Sequence, residues 1–322
     1  LSRVKTGLVK SLSAEDRDWL SQRFGRSVFF DEPLGKHTSF GVGGPASALV
    51  KALTVKGLSD LVRWTGEKNL PYFVLGKGTN LLVRDKGISG VVIRLSGDFN
   101  LMEEEAANDG VLIRAGAGVM LAKLCFYAVK NGLEGLNFGV GIPGTVGGAI
   151  LMNAGTHEGC VADSIREVRV MDNLGTEQRL AAGKIAWGYR TMDHGLESKP
   201  GRPVILTGGS FLTRPADPEV LQKQAKEHLE RRKATQPQGV RSAGSFFKNP
   251  PDGPSAGALI DEAGLKGKTI GGAMVSTVHA NWIVNTGKAT ASEILALMEL
   301  VQEEVLNKHG VSLEPEVKIV GA

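Results

Sequence analysis

This sequence has little cysteine, no paired histidines and no long apolar run, and each shortage removes a class of function. Only Cys125 and Cys160 carry thiols, far apart and outside any CxxC pair. That argues against a disulfide framework or a zinc ribbon and suits a reducing compartment, so a cytoplasmic setting is expected. Both thiols sit among apolar neighbours, where buried structural cysteines are expected. The six histidines show neither HxxxH nor HExxH spacing, so no metal site is expected. No stretch approaches the ~18 apolar residues of a membrane span. The opening Leu1-Ser2-Arg3-Val4-Lys5 lacks the apolar core of a signal peptide. Charge of one sign is scarce as well: the formal net charge is +4, with a pI near 9.0. That suits anionic small molecules, but no Lys/Arg stripe with interleaved aromatics points to nucleic acid.

What the chain has is size and glycine. Its 322 residues, 42% of them hydrophobic, exceed what one core takes, so two or three domains are expected. No period of 20–50 residues marks a solenoid. A first helix is predicted from Ser13, with Asp16 three residues on, Gly25 past its end, and Trp19, Leu20 and Phe24 covering one face. Short β-like runs then alternate with glycine turns: 48–52, 72–75, 91–95, 111–115, 165–171 and 204–212. Helices are predicted over 58–68 and 120–131, the latter stopped by Gly132. Strands outnumber helices without a regular βαβ alternation, which predicts an α+β class. Beyond Pro215, the run Asp217-Pro218-Glu219 reads as a cap, a first-turn proline and a first-turn acid for a charged helix over 220–233. Thr290 and Glu293 form a capping box for a helix that Gly310 ends, and 317–320 closes the chain as a strand. The expected domains are 1–96, 97–215 and 216–322.

Three segments concentrate the glycines: Gly41-Val42-Gly43-Gly44-Pro45-Ala46, Gly76-Lys77-Gly78-Thr79-Asn80, and Gly139-Val140-Gly141-Ile142-Pro143-Gly144-Thr145-Val146-Gly147-Gly148-Ala149. Glycine tolerates positive φ and lets backbone N–H groups approach an anion. Such loops could wrap a diphosphate cofactor, or they could be tight turns between short strands; spacing alone does not choose. Gly139, Gly141 and Gly144 spell GxGxxG, but Pro143 removes an N–H, no clear strand precedes, and more glycines follow where the helix should begin. A Rossmann fingerprint is therefore rejected.

Three polar residues in the second half invite a chemical reading. Ser245 lies in Ala243-Gly244-Ser245-Phe246-Phe247-Lys248-Asn249-Pro250, where Phe247 occupies the second glycine of Gly-x-Ser-x-Gly, so a hydrolase elbow is absent. Its hydroxyl could act as a general acid toward carbon, with Lys248 a nearby cation, or be a turn serine beside a surface lysine. Arg190 follows Trp187-Gly188-Tyr189 and presents a fork suited to a carboxylate or phosphate, or to a surface salt bridge. Glu316 opens the last strand, where a solvated charge is equally natural. Spacing does not assemble the three.

Read together, these segments resemble the UDP-N-acetylenolpyruvoylglucosamine reductase (UDP-N-acetylmuramate dehydrogenase) family. The resemblance runs over about 30–320 in family order. It is carried by Thr38-Ser39-Phe40-Gly41-Val42-Gly43-Gly44-Pro45-Ala46, Leu75-Gly76-Lys77-Gly78-Thr79-Asn80-Leu81-Leu82 and 141–149 with Met152-Asn153-Ala154-Gly155. It continues through Gly188-Tyr189-Arg190, 244–250, Ala263-Gly264-Leu265-Lys266-Gly267, His279-Ala280-Asn281-Trp282-Ile283-Val284-Asn285 and Leu313-Glu314-Pro315-Glu316-Val317. The length and Thr235-Gln236-Pro237 look like the shorter subclass, without an inserted tyrosine loop. The resemblance implies a two-part FAD-binding region of the vanillyl-alcohol-oxidase (PCMH) type, 1–96 and 97–215. It also implies a substrate-binding domain over 216–322, non-covalent FAD, NADPH as co-substrate and UDP-N-acetylglucosamine enolpyruvate as substrate. It places Ser245 on the family's proton donor and Arg190 and Glu316 on its polarising residues. Gly43, Gly44, Leu75, Gly76, Lys77, Gly78, Thr79, Asn80, Leu81, Gly141, Ile142, Pro143, Gly144, Thr145, Gly147, Gly148, Ala149, Asn153 and Ala154 fall toward the cofactor. Tyr189, Lys248, Asn249, Lys266, His279 and Asn281 fall toward the substrate. One departure stands out: Met192 occupies a position where the family usually carries serine. A flavin oxidase acting on another substrate, or a nucleotide-sugar-binding protein without activity, are the rival readings.

Overall fold

Caps written in the sequence start and stop the first and the last helix. A computed structural model describes residues 12–322; 1–11, with the Leu1-to-Lys5 stretch, lie outside the described residues. Helix α1 (Ala14–Phe24) starts at Ser13, whose hydroxyl accepts from the Asp16 N–H while the Asp16 carboxylate accepts from the Ser13 N–H, and ends at Gly25 with φ 51°. Leu20 is fully buried, and Trp19 stacks on Trp64 with centroids 4.4 Å apart. Helix α2 (Val55–Glu67) begins with the Thr54 hydroxyl accepting from the Gly57 N–H and buries Leu58, Leu61, Val62 and Trp64. Then come α3 (Leu121–Lys130), the short α4 (Val146–Leu151) and α5 (Val161–Ser164), and α6 (Pro218–Thr235). Toward the end lie α7 (Ala256–Glu262) and α8 (Ala291–His309).

The chain divides into two compact units that are not consecutive in sequence. Among the described residues, one comprises 12–30, Ser47–Lys77 and Ser89–Glu230; the other comprises Asp31–Ala46, Gly78–Ile88 and Arg231–Ala322. The first unit holds two separate cores. One packs α1 and α2 on a four-stranded sheet ordered Val28–Pro33, Pro45–Ala52, Ile88–Leu95, Tyr72–Val74. The other packs α3 and α4 on a sheet ordered Glu177–Ala181, Ile165–Met171, Ile205–Pro215, Gly110–Gly116, Met102–Ala107. Ile205–Pro215 is central and buried from Ile205 to Thr213, as a strand covered on both faces must be. Gly208 interrupts its apolar run for a steric reason: a β-carbon there would come 2.5 Å from Arg169 Nη2 and 2.7 Å from the Ala115 carbonyl oxygen.

The second unit packs α7 and α8 against a sheet ordered Arg241–Ser242, Ile283–Asn285, Ala273–Val275, Thr269–Ile270. Lys318–Val320 pairs in parallel with Leu81–Val83, so an early strand and the last one share this unit. Helix α8 has the expected capping box, with Thr290 and Glu293 each accepting from the other's N–H, and ends at Gly310 with φ 69°. Asp85 adds a second cap: its carboxylate accepts from the N–H groups of Ala291 and Ser292 at 2.9 Å each and from the Ser292 hydroxyl at 2.6 Å. Burial pushes this carboxyl up, but the bonds from Ser292 and Ala291 outweigh it and hold it below the usual range. The depressed native pKa makes the cap's contribution complete above about pH 4 and lost as pH falls through the native value. Asp85→Asn is therefore expected to lower stability at pH 7 by ~1 kcal/mol and to flatten the acid limb of the stability–pH curve. Denaturation midpoints between pH 7 and 3 check this, and an acid limb as steep as the wild type's would refute it.

Two expectations need correction. Cys125 is buried, and burial pushes its thiol up to about 12, but Cys160 is only half-buried, just before α5. Its N–H, donating to the Asp163 carboxylate at 2.7 Å, ties it to the start of that helix instead of to a core. After Gly144 a helix does begin, α4, capped by the Thr145 hydroxyl. It follows a 3-10 turn over Asn137–Gly139, not the strand of a Rossmann unit. No described helix is long and apolar enough to cross a membrane, and no described cluster of His, Cys, Asp and Glu could hold a metal.

Candidate active site

Phe246 and Phe247 are consecutive and both buried, at 0% and 1% exposure. Successive side chains of an extended segment point to opposite faces, so this pair requires protein on both sides. Phe246 meets Phe40 at 6.2 Å, edge to face, and Phe247 at 5.3 Å. The segment is extended, entered through Gly244 at φ 80°, and is a bridge instead of a turn: Phe247 lies antiparallel opposite Pro315. The Lys248 N–H donates to the Glu314 carbonyl and the Glu316 N–H to the Phe246 carbonyl, each at 2.8 Å. Pro315 thus sits at a non-hydrogen-bonded position, where its missing N–H costs nothing. The Phe246 carbonyl also accepts from the Val317 N–H at 3.4 Å, so two residues oppose one, a bulge of the kind that re-aims a side chain. Ser245, half-buried, therefore lies one residue from a hydrogen bond made by Glu316 itself.

Other side chains of this unit build the surroundings. Lys248 Nζ pairs with Glu314 Oε1 at 2.6 Å, an acid the sequence offered no reason to single out. Desolvation and then the Lys248 ammonium hold the Lys318 amine below its usual range. Asn249 Oδ1 accepts from the Ala256 N–H at 3.1 Å, and Lys266 pairs with Asp261 at 2.6 Å. His279 Nδ1 accepts the Asn281 N–H at 3.2 Å, which leaves the ring proton on Nε2. Burial first, and then Lys266, hold that imidazole below its ordinary value, so it is neutral at pH 7. The Asn80 amide donates to the Glu316 carbonyl at 3.2 Å.

Arg190 belongs to the first unit. Ala186–Gly188 pairs with Thr191–Asp193, leaving Tyr189 and Arg190 as a two-residue turn. Arg190 has φ 57°, and its guanidinium lies 5.1 Å from the Tyr189 ring centroid. Tyr189 is 55% exposed. Met192, in place of the family's serine, pairs with Trp187 and is buried in the core, so its side chain is structural. A β-carbon in the left-handed region costs ~1–2 kcal/mol, against ~0.5–1 kcal/mol for glycine's greater freedom when unfolded. Arg190→Gly relieves that strain but gives up the Tyr189 contact and the side chain's other interactions, so stability is expected to change by less than ~1 kcal/mol, read as a nearly unchanged denaturation midpoint. A lower midpoint would show that the side chain's own interactions exceed the backbone strain.

Taken one by one, the glycine loops carry little that would repel an anion. Residues 139–155 and 38–46 contain no Asp, Glu, Lys or Arg, and 75–82 contain only Lys77, so the loops bring no carboxylate of their own toward a diphosphate. Gly43, Gly78, Gly141 and Gly144 have φ of 133°, 68°, 81° and 139°. Gly76 closes on Thr145, where a β-carbon would come 2.8 Å from Oγ1. Several N–H groups of these loops are engaged within the fold: Gly44 with Arg84, Leu75 with Ile93, Gly147 with Ala117, Gly148 with the Thr145 hydroxyl. Asn153, at φ 39°, donates to the Gly188 carbonyl and accepts from the Ala162 N–H, both at 3.0 Å.

Residues 46–181 match a family described as an FAD binding domain, and 236–320 match the UDP-N-acetylenolpyruvoylglucosamine reductase C-terminal domain. The UDP-N-acetylenolpyruvoylglucosamine reductase of Desulfosudis oleivorans is 48% identical over 308 residues, covering 95% of this chain and 98% of that protein. The chain belongs to the UDP-N-acetylenolpyruvoylglucosamine reductase family. A reductase of the same name from Geobacter metallireducens is 43% identical over 91% of this chain and 94% of its own. The crystal structure of the Thermus caldophilus enzyme superposes with a TM-score of 0.76 at 38% identity, covering 91% and 98% of the two chains. Like its reductase relatives, the chain is an FAD-dependent oxidoreductase, and it has the expected α+β architecture of an FAD-binding region followed by a C-terminal domain.

Proposed function

We propose that this chain reduces UDP-N-acetylglucosamine enolpyruvate to UDP-N-acetylmuramate with NADPH, as a cytoplasmic step of peptidoglycan precursor synthesis. The observation that carries the reading is the pairing of the Ser245 segment with the Glu314–Glu316 segment, in a chain whose relatives bear the reductase's name. When bound, FAD supplies the hydride that NADPH provides to the vinyl carbon of the substrate. The protein's task is then electrostatic and protonic. The planar guanidinium fork of Arg190 faces the substrate carboxylate, where negative charge accumulates, and Glu316 polarises the same enol-like group. The Ser245 hydroxyl gives its proton to the α-carbon, fixing the stereochemistry.

Tyr189, Lys248, Asn249, Lys266 and His279 are assigned to the nucleotide sugar, whose two phosphates suit the lysines. Gly43, Gly44, 75–81, 141–149, Asn153 and Ala154 are assigned to FAD; where their N–H groups are already engaged, the missing side chain is what serves the cofactor. The two separate cores of the first unit support reading 1–96 and 97–215 as the two parts of the FAD-binding region, with 216–322 for substrate. The purified protein is expected to be yellow. Anaerobic reduction followed by UDP-N-acetylglucosamine enolpyruvate should restore the flavin colour, whereas UDP-N-acetylglucosamine should not. Reoxidation by oxygen alone, with the enolpyruvyl sugar inert, would favour an oxidase and overturn the reading.

A further inference from the structure

Resting on that reductase reading, we infer that Asn281 is the positioning residue of the active site, setting Ser245 and Glu316 in place, and is not itself a substrate ligand. The residue is buried, at 4% exposure, and its carboxamide is turned into the protein. Oδ1 accepts from the Phe247 N–H at 2.9 Å and Nδ2 donates to the Phe247 carbonyl at 2.8 Å. The Asn281 carbonyl accepts from the Phe246 N–H at 2.7 Å. Three consecutive peptide planes, from Ser245 to Lys248, are therefore each held by Asn281 along one edge.

The other edge of two of these planes carries the Glu314–Glu316 segment. The plane joining Phe246 to Phe247 gives its N–H to Asn281 Oδ1 and takes the Glu316 N–H on its carbonyl. The plane joining Phe247 to Lys248 takes Asn281 Nδ2 on its carbonyl and gives its N–H to the Glu314 carbonyl. The plane joining Ser245 to Phe246 is held by the Asn281 carbonyl. A side-chain amide thus replaces one rung of a β-ladder, and two bonds to one residue fix both separation and twist. Asn281 is fixed in turn by the His279 Nδ1 acceptor and by a loop in which the Ser276 hydroxyl accepts from Val278 and His279. A misplacement of ~1 Å in a proton donor costs about 10²-fold in rate, so a clamp of this kind acts on catalysis without touching substrate.

Asn281→Asp keeps the shape but sets a carboxylate oxygen against the Phe247 carbonyl; Asn281→Ser keeps a hydroxyl that can serve only one of the two groups. Both variants, loaded with FAD, are expected to bleach with NADPH at the wild-type rate. Their product-forming kcat should fall about 10²-fold with KM little changed, and amide exchange over 245–249 should quicken even without substrate. A raised KM with unchanged kcat would make Asn281 a ligand; equal loss in both half-reactions, or unchanged exchange, would overturn the clamp. Should neither variant fold, exchange in the wild type decides: strong protection of the Phe246 and Phe247 amides supports the clamp, and exchange at the rate of an open loop rejects it. If the reduced wild type is not reoxidised by the enolpyruvyl sugar, the reductase reading fails, while the exchange comparison still tests the clamp.

Discussion

Ser245→Ala is expected to lose ~10²–10³ in product formation, or more, while keeping FAD and its bleaching by NADPH. The hydroxyl is assigned as the proton source for the α-carbon, so its removal strikes only the step that follows NADPH. Ser245 is half-buried, and its segment is held by backbone bonds on both edges. Exchanging hydroxyl for hydrogen leaves those bonds intact. Stability should therefore change little, which separates this variant from one that fails by unfolding. Rapid-mixing measurement of the two half-reactions provides the check: unchanged overall turnover would remove Ser245 from the chemistry, and a slowed bleaching step would place its role elsewhere.

Phe246→Ala is expected to destabilise the protein by ~3–5 kcal/mol, the usual loss for a buried aromatic ring. The side chain is fully buried in the core that also holds Phe40, Phe247, Leu259 and Ile294. Deleting the ring removes its transfer free energy and leaves a cavity between Phe40 and Phe247. Phe246→Leu should cost less, because most of the volume stays filled. Denaturant midpoints rank the three proteins, and near-identity of alanine variant and wild type would contradict the packing. Since the Phe246 peptide groups bond both Asn281 and Glu316, the alanine variant should also lose product formation more than flavin binding.

Several features were legible because they are local. The box of Ser13 and Asp16, the box of Thr290 and Glu293, and the stops at Gly25 and Gly310 each depend on residues within one turn. The strand Ile165–Met171 follows its apolar pattern to the residue. Hidden from the sequence was the company that segments keep. Nothing around residue 81 announces a parallel partner at Lys318–Val320, because such pairing is settled by sheet closure and not by neighbours. Cys160 misled for a similar reason: apolar neighbours in sequence did not bury it, and it stays half-buried.

The asparagines show the division most clearly. Asn80, Asn153 and Asn281 all read as ligand-facing, yet each carboxamide grips the backbone of a distant segment. A carboxamide carries donor and acceptor together and pairs equally well with a ligand or a peptide group, so composition and spacing do not separate the two. By itself the sequence determined the caps of α1 and α8, the family and the residue types that the chemistry requires. Tertiary structure alone decided which of them are held on the frame of the site, because hydrogen-bond partners far apart in sequence are chosen only when the core has closed around them.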